Sequence, residues 1–132
     1  MENKKDETKL NIMVVDDSKV LRRTLKKHIN SLGHLVLCSA STAKEAVDNY
    51  FEFEPDLVTM DIEMPGGNGI IALRSIMKMD KKAKVIMITS HGEESLIMDS
   101  IEEGAIGYVL KPITKEKLEE QFEKVLKGIE DV

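Results

Sequence analysis

The stretch Pro55–Gly69, with the sequence PDLVTMDIEMPGGNG, constrains the fold of this chain more than any other. Asp56–Met60 is a short, mostly apolar run between prolines and glycines, which is typical of a buried strand. Asp61 follows at the point where this strand should end. Ligands of open α/β sheets bind beyond the carboxyl ends of the strands, so Asp61 is a candidate binding residue. It lies too far upstream to cap the helix that we expect from about Asn68.

Four further apolar runs, each followed by a segment with helical spacing, divide the rest of the chain. The predicted strands are Leu10–Val15, His34–Ser39, Asp56–Met60, Lys84–Thr89 and Ile106–Leu110. Apolar strands that alternate with amphipathic helices predict a parallel sheet covered on both faces. Right-handed crossovers then favour a single doubly wound α/β domain with five strands and five helices.

Helix boundaries are signalled by capping residues and by glycine or proline. Ser18 is the expected N-cap of the first helix, and Ser41 or Thr42 that of the second. Glycine or proline should end the first, second and fourth helices, at Gly33, Pro55 and Gly104. The fourth helix is expected over Glu93–Glu103. Helical spacing predicts that Val20, Phe51 and Ile101, among others, face inward.

Composition and charge exclude several classes of protein. A chain of 132 residues that is 42% hydrophobic and 33% charged predicts one globular domain over 1–132, with 1–9 as a flexible tail. The net charge of −5, with no dense basic stripe interleaved with aromatics, argues against nucleic-acid binding. The lone Cys38, the polar start and the short apolar runs indicate a cytoplasmic protein with no membrane insertion. We expect a monomer.

Polar residues follow four of the five predicted strands. They are Asp16 and Asp17 after the first, Asp61 after the third, Thr89 and Ser90 at the end of the fourth, and Lys111–Pro112 after the fifth. Carboxylates gathered at one sheet edge repel each other unless a cation relieves them, and Mg²⁺ prefers such oxygen ligands. The lysine and the hydroxyl would supply donors for a phosphoryl group beside the metal.

These residues stand within the segments VVDD, MDIEMP, MITS and YVLKP. With them the chain resembles the receiver domain of bacterial two-component response regulators, from about Leu10 to Gly128. It is most similar to the stand-alone chemotaxis regulators of the CheY type. The resemblance implies a flavodoxin-like sheet of strand order 2-1-3-4-5. It also implies a phosphorylation-activated signalling switch that transfers a phosphoryl group only to itself and loses it slowly, and so is not an enzyme in the usual sense.

The resemblance also implies a role for each site residue. Asp61 would be the phosphoacceptor, and Mg²⁺ would be held by Asp16, Asp17, Asp61 and the backbone carbonyl of Glu63. The residues expected to contact the phosphoryl group or to respond to it are Thr89, Ser90, Lys111 and Tyr108. The Lys111–Pro112 peptide bond would be cis, which is uncommon for X–Pro bonds.

Partners follow from the same resemblance. A histidine kinase would donate the phosphoryl group, and a phosphatase is a further expected partner. The downstream protein, in chemotaxis a flagellar motor component, would bind the face formed by Glu93–Glu103, Ile106–Leu110 and Thr114–Gly128. A phosphorelay outside chemotaxis is the alternative pathway.

Several features leave other interpretations open. Gly66–Gly67 replaces a bulkier sequence common in the family and adds backbone freedom to the loop. Glu63 and His91 flank the site and either tune the phosphoryl lifetime or are solvated. A small phosphatase with an Asp nucleophile also remains, although no long loop is available to enclose a substrate. His28 and His34 are interpreted as surface or partly buried residues. The methionines are interpreted mostly as core residues, Met79 and Met98 among them.

Overall fold

The structure is a computed structural model that describes residues 8–64, 69–90 and 94–130. For residues 129 and 130 it describes the backbone alone. The segments before the third and fourth helices, with Gly66–Gly67, Asn68 and Glu93, lie outside these residues. Most of the predicted tail lies outside them as well. Within the described residues, no helix is long and apolar enough to span a membrane.

Within the described residues, five strands form one parallel sheet in the order β2-β1-β3-β4-β5. The strands are β1 Asn11–Val15, β2 Leu35–Ala40, β3 Leu57–Asp61, β4 Val85–Thr89 and β5 Gly107–Leu110. The helices are α1 Lys19–Ser31, α2 Ala43–Phe53, α3 Gly69–Met79, α4 Glu94–Glu102 and α5 Lys115–Glu130. The predicted doubly wound α/β fold and its strand order are therefore confirmed.

Alternating side chains of the strands pack into two cores, one on each face of the sheet. In β1, Met13 and Val15 belong to the core that includes residues of α2 and α3. Ile12 and Val14 belong to the other, which includes residues of α1 and α5. Every residue of the inner strands except the half-buried Asn11 is therefore removed from water. Burying a large aliphatic side chain stabilises the fold by about 1.5–3 kcal/mol.

Helix ends follow the predicted signals. The Ser18 hydroxyl accepts a hydrogen bond from the Leu21 backbone amide at 3.2 Å, and Thr42, rather than Ser41, caps α2 in the same way. Gly33 and Gly104 have φ angles of 88° and 113°, which suit glycine at a helix end. Before Pro55, Glu54 closes α2 in the left-handed region at φ 50°.

Some predicted burial is wrong. Val20 is 70% exposed, because it lies about 140° around α1 from the buried Leu25. Phe51 and Ile101 are 39% and 42% exposed, since the edge helices α2 and α4 are only partly covered. Met79 and Met98 lie on the surface, whereas most other described methionines are buried or half-buried.

His34 is buried rather than at the surface. Its Nδ1 accepts a hydrogen bond from the Leu10 amide at 3.0 Å, and its ring packs edge-on against Phe122. Desolvation by burial lowers the pKa of His34. A neutral ring is therefore part of the junction between the start of β1 and α5.

Candidate metal and phosphoacceptor site

Parallel pairing of β1 with β3 brings three carboxylates to one sheet edge. Val15 is opposite Met60, so Asp16 and Asp61 come next to each other as the two strands end. Carboxylate oxygens of Asp16, Asp17 and Asp61 all lie within 4.8 Å of one another. The sequence prediction that these three residues converge is therefore met by the geometry.

Asp16 is buried, and only one of its oxygens is hydrogen-bonded. Oδ1 accepts from the Ser18 amide at 2.8 Å, whereas Oδ2 is buried and has no hydrogen-bond partner among the described residues. Burial raises the pKa of Asp16 above its usual value. Arg22 supports this turn through a hydrogen bond from its Nη1 to the Asp16 backbone oxygen at 2.7 Å. The sequence pattern did not predict this role for Arg22. The one signal was its position four residues after the N-cap Ser18.

Asp61 is 2% exposed and only weakly compensated. Its Oδ1 lies 3.4 Å from the Lys111 ammonium nitrogen and 3.4 Å from the Glu63 amide nitrogen, both long contacts. Burial and the charge of Asp16 raise the pKa of Asp61 to about 6, in spite of the opposing effect of Lys111. The negative charge of the Asp61 carboxylate is therefore only partly compensated by its neighbours.

The three carboxylates suit a hard divalent cation. Mg²⁺ prefers a few carboxylate oxygens, with water and phosphate completing its coordination. The unpartnered Asp16 Oδ2 and the raised pKa values of Asp16 and Asp61 are what a cation at this position would relieve. Asp17, which is exposed, would close the set from the solvent side.

The fourth and fifth strands bring the other predicted residues to the same edge. The Lys111 amide donates to the Thr89 backbone oxygen at 2.7 Å, which ties the ends of β4 and β5 together. The Thr89 side chain is buried, and its only described hydrogen bond, to the Ser90 backbone oxygen, is long at 3.5 Å. The Lys111–Pro112 peptide bond is cis, the isomer that the resemblance implied.

The structure describes three of the remaining predicted residues, Tyr108, Glu63 and Ser90. Tyr108 pairs with Met87 across β4 and β5, and its side chain is 43% exposed. Glu63 has an exposed side chain. Ser90 is half-buried, and His91 lies outside the described residues.

Gly69 is a site residue that sequence reasoning missed. It begins α3, and its amide donates to the Ile62 backbone oxygen at 2.8 Å. A Cβ at this position would collide with the Asp61 backbone oxygen and the Met60 side chain. Glycine is therefore required for α3 to start against the acceptor strand. The sequence signal for this role was the position of Gly69 at the end of a loop rich in proline and glycine.

Comparison with protein families decides the class of this site. The model of the response regulator receiver domain matches residues 12–123. The chain is a receiver domain. Members of this family act as phosphorylation-activated signalling switches, and the acidic cluster described above is where the receiver domain would bind Mg²⁺.

Several known proteins are similar to this receiver domain over most of its length. Chemotaxis protein CheY of Thermotoga maritima is 39% identical over 116 residues, which cover 88% of this chain and 97% of that protein. CheY of Bacillus subtilis is 37% identical, covering 87% and 96%. A solved CheX–CheY complex with BeF₃ and Mg²⁺ from Borrelia burgdorferi matches with a TM-score of 0.83 and 36% identity, covering 87% of each chain.

Proposed function

We propose that this receiver domain is a switch in a two-component pathway and that Asp61 accepts a phosphoryl group from a histidine kinase. The observation that carries the proposal is the buried Asp61 carboxylate beside Asp16, Asp17 and Lys111. In the transfer, a carboxylate oxygen of Asp61 attacks phosphorus and forms an acyl phosphate. The bond from phosphorus to the kinase imidazole breaks, and the imidazole nitrogen keeps the electron pair.

The surrounding residues would position and neutralise the phosphoryl group. Asp16 and Asp17 would hold Mg²⁺ together with Asp61 and the Glu63 carbonyl, and the bound ion supplies neutralisation of phosphoryl charge. The Lys111 ammonium, already near Asp61, would donate to a phosphoryl oxygen. The Thr89 hydroxyl gives up only a long hydrogen bond when it turns towards the same group.

The domain would turn over its own phosphoryl group rather than an external substrate. Water would attack the phosphorus slowly, the bond from phosphorus to the Asp61 oxygen would break, and inorganic phosphate would leave. A phosphatase partner would accelerate this step. Glu63, which is exposed, and His91, which follows Thr89 by two residues in the sequence, are proposed to set how easily water approaches. The domain is then a modified protein and not an enzyme with its own substrate.

The downstream partner would bind the face formed by α4, β5 and α5. Four apolar side chains are exposed on α4, β5 and the segment between them: Met98, Ile101, Ile106 and Tyr108. A phosphoryl group on Asp61 would draw the Thr89 hydroxyl towards its oxygens and leave space into which the Tyr108 ring can turn. Exposed apolar side chains of this kind favour a protein partner over nucleic acid.

Chemotaxis is the proposed pathway, because the CheY proteins of Thermotoga maritima and Bacillus subtilis are similar over nearly their whole length. The Borrelia burgdorferi structure holds a CheY together with CheX, so a protein similar to CheX is a proposed partner here. We further propose that the domain works in the cytoplasm as a monomer.

Incubation with acetyl phosphate and Mg²⁺ tests the acceptor. One phosphoryl group should be added and should be released by hydroxylamine, as an acyl phosphate is. Asp61→Asn should abolish the addition, because an amide is a poor nucleophile, whereas Asp99→Asn on exposed α4 should leave it unchanged. A phosphate located on serine or threonine by mass spectrometry would contradict the proposal. Repeated turnover of a generic phosphate ester would favour the small phosphatase instead.

A further inference from the structure

Helix α1 concentrates positive charge on a protein that is negative overall. Its sequence KVLRRTLKKHINS carries Lys19, Arg22, Arg23, Lys26 and Lys27 and no acidic residue, whereas the net charge of the chain is −5. In the part of the chain that the structure describes, none of these five cations takes part in an ion pair.

This charge is unfavourable for the helix itself. Lys19 and Arg22 lie in the first turn of α1, where the helix dipole is also positive and where no acidic residue compensates. Three pairs of like charges stand four residues apart, the spacing at which they repel. The buried face of α1 is formed by Leu25 and Ile29, and of the five cations only Arg22 has a described structural role, its hydrogen bond to the Asp16 backbone oxygen.

Four of the five cations border a groove of about 380 Å³ between α1 and the edge strand β2. Lys19, Arg22, Arg23 and Lys26 line its α1 side. The other side and the base are formed by Val14 and by the β2 segment 36–39, of sequence VLCS. The groove therefore combines a cationic rim with a largely apolar wall.

The edge of β2 is poorly suited to accept another strand. The pairing with β1 shifts between Ile12 and Met13, which leaves Leu37 as an extra residue in β2. Such a bulge twists a sheet edge away from strand addition. Asn49 Nδ2 in addition donates to the Ser39 backbone oxygen at 2.8 Å, so part of this edge is already bonded. A helix laid into the groove suits this surface better than an added strand.

We propose that the groove between α1 and β2 is a docking surface for an acidic amphipathic helix of another protein. Acidic side chains of that helix would pair with Arg23 and Lys26, and its apolar side chains would contact Val36 and Leu37. From Lys19 to Lys26 the cations span about 10 Å of α1, roughly two turns, so a short helix suffices.

Other occupants fit the groove less well. A nucleic acid would find no aromatic side chain for base stacking and would meet a protein of net charge −5. A second copy of this chain would use a different surface for the contact, and such head-to-tail contacts extend into open chains unless they close. The groove lies at the β2 edge of the sheet, away from β5 at the other edge. The docked helix would therefore leave the proposed output face free.

Fluorescence anisotropy of a defined probe tests the proposal. The probe is a labelled helical peptide of about 18 residues, with leucines on one face and glutamates on the rest. Its matched control has the same composition with the leucines scattered. Unphosphorylated protein without Mg²⁺ is used, and Asp61→Asn is run in parallel, so the result does not depend on the proposed phosphoryl chemistry. Sedimentation velocity tests for self-association. Binding of an oligonucleotide and of vesicles containing phosphatidylglycerol is measured in parallel, to test the nucleic-acid and lipid alternatives.

The variant Arg23→Glu/Lys26→Glu should weaken binding of the amphipathic probe roughly tenfold or more. The control Lys81→Glu/Lys82→Glu makes the same change of net charge on the exposed turn after α3 and should alter binding by less than about twofold. Because both replaced cations repel their neighbours, Arg23→Glu/Lys26→Glu should melt no lower than wild type.

Absence of probe binding, equal weakening in both variants or equal binding of the scattered peptide would overturn the proposal. Tighter binding of the oligonucleotide or of the vesicles would assign the groove to those ligands instead. Self-association that disappears in Arg23→Glu/Lys26→Glu would assign it to a second copy.

Discussion

The centre and the β5 edge of the sheet differ in how completely they are buried. Every residue of β3 and β4 is buried, and these strands carry Asp61 and Thr89 at their ends. In β5 only Val109 is buried, and Tyr108 is 43% exposed. The chemistry is thus held on the rigid centre, whereas the residue expected to report it lies where a side chain can move.

The two regions differ in charge as well as in burial. The centre holds Asp16 and Asp61 with little compensation, which only a well-packed framework can enforce. The β5 edge buries no charged group and presents exposed apolar side chains. Keeping an uncompensated carboxylate next to an adaptable surface allows a local change of charge to alter a binding face.

The largest expected effect tests the difference in packing with a matched pair of isoleucines. Ile86→Ala in β4 should lower the free energy of unfolding by about 2–5 kcal/mol, because the side chain is fully buried. Ile106→Ala, directly before β5, should change it by about 0.5 kcal/mol, since that side chain is 49% exposed. Urea unfolding of both variants measures the contrast. Similar losses would mean that the edge is packed as firmly as the centre.

The second prediction concerns pH in the presence of a metal chelator. The folded-state pKa of Asp61 is about 6, above its ordinary value of 3.8, so the folded protein binds the proton more tightly. The stabilisation is present below pH 4 and is lost as the pH rises through 6. The loss should reach about 3 kcal/mol.

The measurement is the difference between the stability profiles of wild type and Asp61→Asn from pH 4 to pH 7. His34, whose lowered pKa makes stability rise with pH, contributes equally to both and cancels. Parallel profiles would contradict a raised pKa of Asp61 in the metal-free folded protein.

The third prediction concerns the metal. Mg²⁺ at about tenfold excess over its Kd should stabilise the fold by about 1.4 kcal/mol, because only the folded protein gathers the three carboxylates. Asp17→Asn should remove most of this gain, whereas Asp99→Asn, an equal change of charge on α4, should retain it. Thermal melts across a Mg²⁺ titration measure the effect. A wild-type Tm that does not respond would argue against the site.

The smallest expected effect is the coupling between centre and edge. Beryllofluoride with Mg²⁺ should shift the ring signals of Tyr108 in NMR spectra, with Tyr50, which is hydrogen-bonded to Asp80, as an internal reference. Thr89→Ala should reduce this response about fivefold, worth about 1 kcal/mol, whereas Ser31→Ala at the exposed end of α1 should preserve it. Equal shifts in wild type and Thr89→Ala would mean that the signal reaches Tyr108 by another route.

Much of the fold and the site was predictable from local pattern. The run ending at Asp61 and the equivalent run ending at Val15 are bounded by turn residues, and parallel strands bring their carboxyl ends to one edge. The convergence of Asp16, Asp17 and Asp61 therefore followed from the order of elements along the chain. Gly69 was missed because its role depends on how closely α3 approaches the Asp61 backbone, which no periodicity reports.

By itself, the sequence determined the succession of strands and helices and which polar residues end the strands, because hydrophobic period and turn chemistry are local properties. Only the tertiary structure decided how far each side chain is removed from water. It buried His34, left Val20 and Met98 exposed, and raised the pKa of Asp61. It also placed the cations of α1 beside the edge of β2, since burial and electrostatic environment depend on neighbours that are distant in the chain.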